Sequence, residues 1–312
     1  MQAKKLKILR DVLGEYRRER KEFLFYCPKC DHHKPKLSVN LSNGCFKCWV
    51  CDYSGRKIRS LVRKHGSYLD YKAWGEFEEQ VDISEFDLFF DPFNEVKKEE
   101  VLELPEEFIS LVNRNLPLSS LPARQYLKDR GVTKMDICRW KVGFCGKGEY
   151  EGYVVIPSFN LEGNVNFFVA RSYNGDWKKY KNPKVSRNTI IFDELFLNFQ
   201  EDLTIVEGVF DAIVVGHNAV PLLGSTLSEK SKLLHEIIKN DTTVYLALDF
   251  DAEKKSMRVI KKLLEYGIEV YKIDTSEFDD VGEMNREEFL KRKRNATLMT
   301  EEVCLFHQAM SV

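Results

Sequence analysis

The sequence predicts a multi-domain α/β protein in which a zinc ribbon precedes an α+β part and a sheet of parallel strands. Two observations carry this prediction. Two Cys-x-x-Cys pairs lie within the first 51 residues, and short apolar runs beyond residue 200 end in carboxylates that lead into helices. Strands that alternate with helices are typical of a parallel sheet. The chain of 312 residues is long enough for two domains or three small ones, and 43% hydrophobic residues allow a substantial core.

Charge is distributed in blocks, although the whole chain has a net charge of −1. Residues 1–75 carry 18 Lys and Arg against 7 Asp and Glu, residues 76–107 carry 2 against 13, residues 108–200 carry 14 against 8, and residues 201–312 carry 14 against 21. Basic blocks beside an acidic one indicate a polyanion held next to a metal site. We predict a zinc-binding domain (1–75), an acidic linker (76–104), a basic subdomain (105–200), a parallel-sheet domain (201–285) and a helical tail (286–312).

Cysteine spacing predicts the first metal site. Cys27 and Cys30 form one pair, Cys48 and Cys51 form the other, and 17 residues separate the two pairs. In an intracellular protein, such pairs indicate one structural Zn²⁺ held tetrahedrally by four thiolates in a ribbon.

Three nearby residues also have side chains that bind metals. Cys45 precedes the second pair, and we expect it to pack beside Phe46 instead. His32 and His33 could compete as ligands, but four cysteines already complete a structural zinc site.

Carboxylates at the ends of apolar runs predict a second metal site. Glu207 follows a strand predicted for Leu203–Val206, and Asp249 and Asp251 follow a strand predicted for residues 243–248. Ligands bind at the carboxyl ends of parallel strands, so we expect these three side chains to converge. Converging carboxylates repel one another unless a cation lies among them, and oxygen ligands suit Mg²⁺ or Mn²⁺. The alternative for the two aspartates is that they cap the next helix.

These residues resemble the TOPRIM domain shared by topoisomerases, DnaG-type primases and some nucleases. The resemblance rests on the motifs Glu207-Gly208-Val209-Phe210-Asp211 and Asp249-Phe250-Asp251. Residues 279–284 resemble the last acidic motif of the family, which adds Asp280, with Asp279 a close second, to the expected magnesium ligands.

Two further features of this region indicate phosphate binding. The family often has Gly at the position of Lys254, so Lys254 could contact phosphate itself. Gly224-Ser225-Thr226 is expected to begin a helix and to offer its backbone N–H groups to a phosphate.

Residues 27–55 resemble the zinc-binding domain of DnaG-type primases, a module that reads template DNA in that family. The match includes a Lys-Pro-Lys stretch at residues 34–36, the aromatic Phe46 and a closing Gly55. Aromatic faces stack on unpaired bases while cations hold phosphates. We therefore expect Lys34, Lys36 and Trp49 to contact nucleic acid, although some aromatics of this module must form its core instead.

Residues 123–183 resemble the polymerase core of the same primases. The motif Lys179-Tyr180-Lys181-Asn182-Pro183 matches Lys-Tyr-x-Asn-(Ser/Pro), and Arg171 matches the end of the preceding strand. The resemblance implies that Arg171, Lys179 and Asn182, with Lys181 in the same segment, bind the incoming nucleotide or the growing strand. The alternative for Arg171 and Lys179 is a solvated hairpin face.

The resemblance as a whole implies a DNA primase, a nucleotidyltransferase that makes short RNA primers on single-stranded DNA from ribonucleoside triphosphates. Glu207, Asp249 and Asp251 would be its catalytic residues, with Glu207 either a metal ligand or a general base. One alternative is a non-catalytic recombination mediator, which also joins a Cys₄ zinc element to a TOPRIM domain but lacks the polymerase-like segment. Another is a TOPRIM nuclease, which needs neither that segment nor the ribbon.

The sequence also suggests which partners to expect. It contains no Gly-x-x-x-x-Gly-Lys-(Ser/Thr) motif, so we expect a compact, bacteriophage-type primase that works with a separate replicative helicase. No apolar run approaches the length of a membrane span, and the basic N-terminus lacks the apolar segment of a secretory signal. We therefore expect a soluble cytoplasmic protein without a membrane partner, in the host cytoplasm if the protein is viral.

Overall fold

The computed structural model describes residues 2–19, 22–77, 102–224, 226–249, 252–278 and 280–310. The chain divides into two compact units. The first consists of Met1–Val96 with Ile238–Asn240 and Glu265–Gly267, and the second consists of the remainder. Most of the predicted acidic linker lies outside the described residues. Among the residues described, no helix combines the length and the apolar character needed to cross a membrane.

The first unit is built on an antiparallel sheet with strand order β1-β2-β3-β4-β5. One helix precedes the sheet and two follow it. In chain order these elements are α1 (Gln2–Leu13), β1 (Tyr16–Glu19), β2 (Glu22–Phe25), β3 (Leu37–Asn40), β4 (Cys45–Cys48), β5 (Ser54–Gly55), α2 (Ile58–His65) and α3 (Tyr68–Gly75).

Aromatic and aliphatic side chains from the sheet and the helices form the core of this unit. Phe23, Leu37 and Phe46 of the sheet pack with Leu9 of α1 and Leu61 of α2. Phe46 is therefore one of the aromatics that serve the core.

The match of Gly55 to the family pattern has a steric reason in this core. A Cβ atom at Gly55 would lie 2.6 Å from the Phe46 ring. The ring packs directly against the glycine, so no larger residue fits there.

The second unit contains two sheets. Its N-terminal part has an antiparallel sheet in the order β6-β7-β8-β9. The elements of this part are β6 (Phe108–Ser110), a 3₁₀ turn (Leu118–Ser120), α4 (Leu121–Asp129), α5 (Lys134–Arg139), β7 (Gly143–Cys145), β8 (Tyr153–Phe159), β9 (Val165–Ser172) and a 3₁₀ turn (Glu194–Phe196). Two of these strands, β6 and β7, flank α4 and α5 in the chain.

The other sheet has the order β11-β10-β12-β13-β14, in which the first four strands are parallel and β14 is antiparallel to β13. Its elements are β10 (Leu203–Val206), α6 (Val209–Val215), β11 (Ala219–Pro221), α7 (Lys232–Asn240), β12 (Val244–Ala247), α8 (Glu253–Glu265), β13 (Val270–Lys272), a 3₁₀ turn (Val281–Glu283), α9 (Arg286–Arg294), β14 (Thr297–Leu298) and α10 (Glu301–Met310). The predicted fold class, a zinc ribbon followed by an α+β part and a parallel α/β sheet, is confirmed.

One hydrophobic core joins the two sheets of the second unit. Ile156 and Phe167 of the antiparallel sheet belong to the same buried cluster as Val206, Phe210 and Ala247 of the parallel sheet region. This shared core fixes the antiparallel sheet against the edge of the parallel sheet where the acidic motifs lie.

Two local predictions differ from the structure. A helix was expected from residue 224, but α7 begins at Lys232. Leu223 and Gly224 both have positive φ, at 53° and 73°, which a right-handed helix does not accommodate. The tail predicted as helical for residues 286–312 is interrupted by β14, which extends the parallel sheet. The predicted domain boundaries stay predictions.

Candidate functional site

The four cysteines of the two Cys-x-x-Cys pairs come together in the first unit. The Sγ atoms of Cys27, Cys30, Cys48 and Cys51 all lie within 4.8 Å of one another. Each pair is followed by an aspartate with positive φ, 46° at residue 31 and 54° at residue 52, which turns the chain back toward the other pair. Aspartate tolerates this conformation better than most residues.

The spacing of these sulfur atoms fits zinc. Sγ of Cys27 lies 3.7 Å from Sγ of Cys51, and Sγ of Cys30 lies 3.8 Å from Sγ of Cys48. A tetrahedral site with Zn–S bonds of about 2.3 Å has sulfur–sulfur edges of about 3.8 Å. The four thiols are therefore placed to hold one Zn²⁺ and are far too distant for disulfides.

The neighbouring residues take other roles. Cys45 is half-buried and its thiol donates to Oδ1 of Asn43 at 2.7 Å. Nδ1 of His32 accepts from the backbone N–H of Lys34 at 3.2 Å. None of Cys45, His32 and His33 belongs to the cysteine cluster.

The carboxylates of the second predicted site lie at one edge of the parallel sheet. β10 and β12 are neighbours, with Val206 opposite Ala247. Glu207 therefore follows one strand directly, and Asp249 lies two residues beyond the end of the adjacent strand. Both residues thus lie at the carboxyl edge of the sheet, and the convergence of their carboxylates on one ion stays a prediction. Asp251 and Asp279 lie outside the described residues.

Asp211 connects the loop after β10, which carries Glu207, with the loop that carries Asp280. The sequence did not reveal this role, although Asp211 is part of the first acidic motif. Its Oδ2 accepts from the N–H of Gly208 at 2.7 Å, and its Oδ1 accepts from the N–H of Gly282 at 2.9 Å. Gly282 lies two residues after Asp280, so this carboxylate holds the Asp280 loop against the start of α6. Asp211 is itself buried.

The electrostatics of this edge favour a bound cation. Burial, together with the charges of Asp249 and Asp280, raises the pKa of Asp211 to about 7. Oε2 of Glu207 and Oδ1 of Asp280 are buried and accept no hydrogen bond from any part of the chain that the structure describes. Carboxylate oxygens are the ligands that Mg²⁺ and Mn²⁺ prefer. Among the described residues, the cysteine cluster is the group whose ligand atoms all lie within 4.8 Å of one another, so Glu207, Asp249 and Asp280 lie at one edge of the sheet without forming a closed metal cage.

Lys255 is a second residue of the site that sequence reasoning missed. Its Nζ lies 2.6 Å from Oε1 of Glu207, and both side chains are mostly buried. Lys254, which the sequence offers as a phosphate contact, is exposed on the first turn of α8. Two successive lysines after the second acidic motif were the available signal, but only the phase of the helix decides which one reaches the carboxylate.

The predicted nucleotide-binding residues surround the end of β9. Nε of Arg171 donates to the hydroxyl of Tyr126 at 3.2 Å, and its guanidinium lies 4.6 Å from the centre of the Tyr180 ring. Oδ1 of Asn182 accepts from the N–H of Ala170 at 3.1 Å. These contacts give Arg171 and Asn182 fixed positions.

The two lysines of the same segment differ from each other. Nζ of Lys181 pairs with Glu149, with 3.1 Å between Nζ and Oε1, and lies 4.8 Å from the centre of the Tyr150 ring. Lys179 is exposed. Of these two, Lys179 has the more accessible charge.

A cavity of about 690 Å³ lies between this basic segment and the end of β11. Its lining includes Lys178, Lys184, Arg187, Gly224 and Thr226. Gly224 follows Leu223, whose N–H donates to the backbone carbonyl of Glu207 at 2.9 Å. The basic cavity therefore adjoins the acidic edge of the sheet. Gly224 and Thr226 line it from a loop rather than from a helix start, and Ser225 is not among the described residues.

The residues predicted to contact nucleic acid in the zinc unit lie around the cysteine cluster. Lys34 and Lys36 precede β3, and Lys34 is partly exposed. Lys36 is buried and its Nζ donates to the backbone carbonyl of Tyr266 at 2.6 Å, so the expected contact of Lys36 with nucleic acid is not supported. Trp49 lies between Cys48 and Cys51, and Nζ of Lys47 is 5.4 Å from the centre of its ring.

Comparison with known proteins found relatives that are named DNA primase. No family model matches the chain. The chain is 24% identical to a DNA primase of Thermotoga maritima over 89% of this chain and 57% of that protein. It is 25% identical to a DNA primase of Mycoplasma genitalium, over 77% of this chain and 49% of that protein. The chain thus spans about half the length of the curated relatives it matches.

Solved structures of primases share the fold. The zinc-binding and RNA polymerase domains of the Aquifex aeolicus primase match with a TM-score of 0.50 and 19% identity, over 95% of this chain and 84% of that chain. The Escherichia coli primase catalytic core matches with a TM-score of 0.52 and 18% identity, over 62% of this chain and 79% of that chain. The resemblance to DnaG-type DNA primases that the motifs indicated is thus confirmed by both comparisons.

Proposed function

We propose that this protein is a DNA primase, which synthesises short RNA primers on single-stranded DNA by metal-dependent nucleotidyl transfer. The observation that carries the proposal is the basic cavity beside the carboxylates of Glu207, Asp249 and Asp280. Positive charge binds a triphosphate and a nucleic-acid backbone, and the acidic edge holds divalent ions. Curated relatives named DNA primase, and a DnaG primase catalytic domain solved with single-stranded DNA, support the same function.

Some residues of this chain bind phosphates, and others orient the residues that do so. Lys178, Lys179, Lys184 and Arg187 attract the phosphates of the ribonucleotide and of the growing primer. Arg171 is held by Tyr126 and Tyr180, and Tyr180 lines the basic cavity, so Arg171 presents a preoriented cation beside that cavity. Lys181 and Asn182, which contact Glu149 and Ala170, fix the segment that carries these charges.

Glu207, Asp249 and Asp280 contribute negative charge where the triphosphate must bind. Mg²⁺ or Mn²⁺, when bound there, would neutralise the charge that develops as the 3′-hydroxyl attacks the α-phosphorus and pyrophosphate leaves. Asp211 keeps the Asp280 loop in position through the N–H of Gly282. Asp251 and Asp279, which the sequence adds to the ligands, and Lys254 as a phosphate contact belong to the same proposal.

The zinc unit would hold the template. Four thiolates with Zn²⁺ would keep its small sheet folded. Of the three residues that the sequence offers as DNA contacts, Lys34 is partly exposed and can reach a phosphate, whereas Lys36 and Trp49 are buried. A separate replicative helicase is the expected partner, with the cytoplasm as the expected location.

A primer-synthesis assay tests the proposal. The purified chain is incubated with single-stranded DNA of mixed sequence, labelled ribonucleotides and Mg²⁺, in parallel with Asp249→Asn. Short labelled RNA from the wild type, with none from Asp249→Asn, is the expected result. Asp202→Asn is a matched control, because Asp202 is exposed at the opposite end of the neighbouring strand.

Two outcomes would contradict the proposal. If the wild type makes no RNA even with Mn²⁺ but binds DNA, the results would favour a recombination mediator over a primase. If the DNA strand is cut instead, the chain is a nuclease.

A further inference from the structure

Trp177 is an exposed tryptophan in a protein that buries the others. Its side chain is 95% exposed, whereas Trp74, Trp140 and Trp49 are 4%, 2% and 9% exposed. Burial of the large apolar surface of an indole is favourable, and an indole exposed to water does not gain this free energy. Such a residue is a candidate contact for a ligand with a flat apolar face.

The turn that carries Trp177 is held on both sides. On one side, Oγ of Ser172 donates to Oδ2 of Asp176 at 2.7 Å, and Gly175 has a φ of 75° that suits glycine. On the other side, the hydroxyl of Tyr153 donates to the carbonyl of Lys178 at 3.1 Å. The indole is therefore presented from an anchored backbone, which lowers the entropy that a ligand must overcome on binding.

The positive charge of the segment that follows Trp177 favours an anionic ligand. Residues 177–192 contain four Lys and one Arg and no Asp or Glu, and the one carboxylate directly before Trp177, Asp176, accepts a hydrogen bond from Ser172. Lys178, which is adjacent to Trp177, lines the basic cavity, and so does Arg187. Consecutive Cα atoms lie about 3.8 Å apart, so the backbone of Trp177 adjoins a residue that lines the cavity, although the indole itself is not part of the lining.

We propose that Trp177 is a stacking platform for an unpaired base of single-stranded DNA whose phosphates lie along the basic cavity. Stacking on an aromatic side chain and phosphate binding by cations are the two means by which proteins hold single strands. Double-stranded DNA does not fit, because its base faces are already stacked within the duplex. The proposal rests on the primase function and identifies one contact by which the template strand is held beside the polymerase residues.

Tryptophan fluorescence gives the first test. Titration with a short oligo-dT should quench the emission of the wild type, and Trp177→Phe should lose most of that quenching while it keeps its affinity. A blunt DNA duplex of the same length should quench much less. No quenching at saturating oligo-dT would overturn the proposal.

Binding affinity gives the second test. Trp177→Ala should bind oligo-dT about tenfold more weakly, because stacking on one aromatic is typically worth between about fivefold and about 150-fold in affinity. Trp177→Phe should stay within about twofold of the wild type, since a phenyl ring also stacks. Leu161→Ala is a matched control, because Leu161 is also an exposed apolar residue, at the turn between β8 and β9. Equal affinities for Trp177→Ala and the wild type would overturn the proposal.

The same variants separate template from primer and keep this proposal distinct from the function itself. If oligo-rU quenches Trp177 and oligo-dT does not, the assignment to the DNA strand is wrong. If the wild type makes primers but Trp177→Ala binds and primes normally, the platform fails and the primase function stands. If oligo-dT quenches Trp177 in a protein that makes no RNA, the platform stands and the primase function fails.

Discussion

Lys255 and Glu207 form an ion pair in which Nζ of Lys255 lies 2.6 Å from Oε1 of Glu207. The two side chains are 17% and 24% exposed, so the pair is only partly screened by water. Because one carboxylate oxygen is taken by Lys255, the rotation of the Glu207 side chain is fixed, and its other oxygen is buried. Lys255 thus orients the residue expected to bind a divalent ion and ties the start of α8 to the end of β10.

We expect Lys255→Met to lower kcat for primer synthesis by about tenfold, the usual effect of losing one charge-assisted hydrogen bond. The affinity for Mn²⁺ should be unchanged or higher, because the substitution removes a positive charge beside the ion. Steady-state kinetics and direct Mn²⁺ titration measure the two effects separately. Arg258→Met, an exposed cation on the same helix, is the control. An unchanged kcat in Lys255→Met would show that Glu207 does not need this partner.

Gly282→Ala should disturb the acidic edge more than it disturbs the fold. A Cβ atom at this position would lie 2.9 Å from Oδ1 of Asp280 and 3.0 Å from Oδ1 of Asp211. Both distances are too short, so the two carboxylates must move apart. We expect primer synthesis to fall by at least about tenfold, whereas the free energy of unfolding falls by about 1–2 kcal/mol.

Chemical denaturation and the primer assay compare these two effects on the same preparation. Gly146→Ala tests a glycine outside the acidic edge, where the nearest atom to a Cβ is the Ser119 hydroxyl at 3.1 Å. If Gly282→Ala loses stability but makes primers at the normal rate, the position of Asp280 is less critical than the geometry indicates.

The comparison of sequence and structure shows which features are local. β10 has the bounds that its apolar run predicts, and the parallel sheet brings Glu207 and Asp249 to one edge because adjacent strands end together. The cysteine cluster was predictable for a similar reason, since two short pairs need only a hairpin between them to meet.

The features that the sequence did not predict depend on contacts between distant segments or on helix phase. Asp211 meets Gly282, 71 residues away in the sequence, and no local pattern contains that distance. The reach of Lys255 to Glu207 depends on the phase of α8. The helix expected at residue 224 failed because Leu223 adopts a positive φ, which is rare for a residue with a branched side chain.

Cys48→Ser should remove zinc from the first unit. Three thiolates and a hydroxyl bind Zn²⁺ far more weakly than four thiolates, and metal binding by small zinc modules supplies roughly 10 kcal/mol that is coupled to folding. We expect less than one zinc per chain by atomic absorption, with loss of template-directed initiation. Cys45→Ser is the matched control, because its thiol binds Asn43 and lies outside the cysteine cluster. Full zinc content in Cys48→Ser would show that the ligands differ from the four cysteines.

Because Asp193 is buried, we expect a specific pH dependence of the free energy of unfolding of the second unit. Burial raises the pKa of Asp193 to about 6, although Arg139 donates to its Oδ2 at 2.7 Å and opposes that shift. A carboxyl group with a raised pKa binds its proton more tightly in the folded state than in the unfolded state. Its stabilising contribution is therefore complete below the unfolded pKa of about 4 and is lost as the pH rises through about 6.

Asp193→Asn isolates this contribution, because asparagine accepts the left-handed conformation that Asp193 adopts at a φ of 57°. The free energy of unfolding of the wild type, minus that of Asp193→Asn, should fall by about 1 kcal/mol between about pH 5 and about pH 7. Urea denaturation at several pH values measures this difference. Asp202→Asn, at an exposed position, should show no such trend. A difference that stays constant or rises with pH would mean that Arg139 outweighs burial and keeps Asp193 ionised throughout this range.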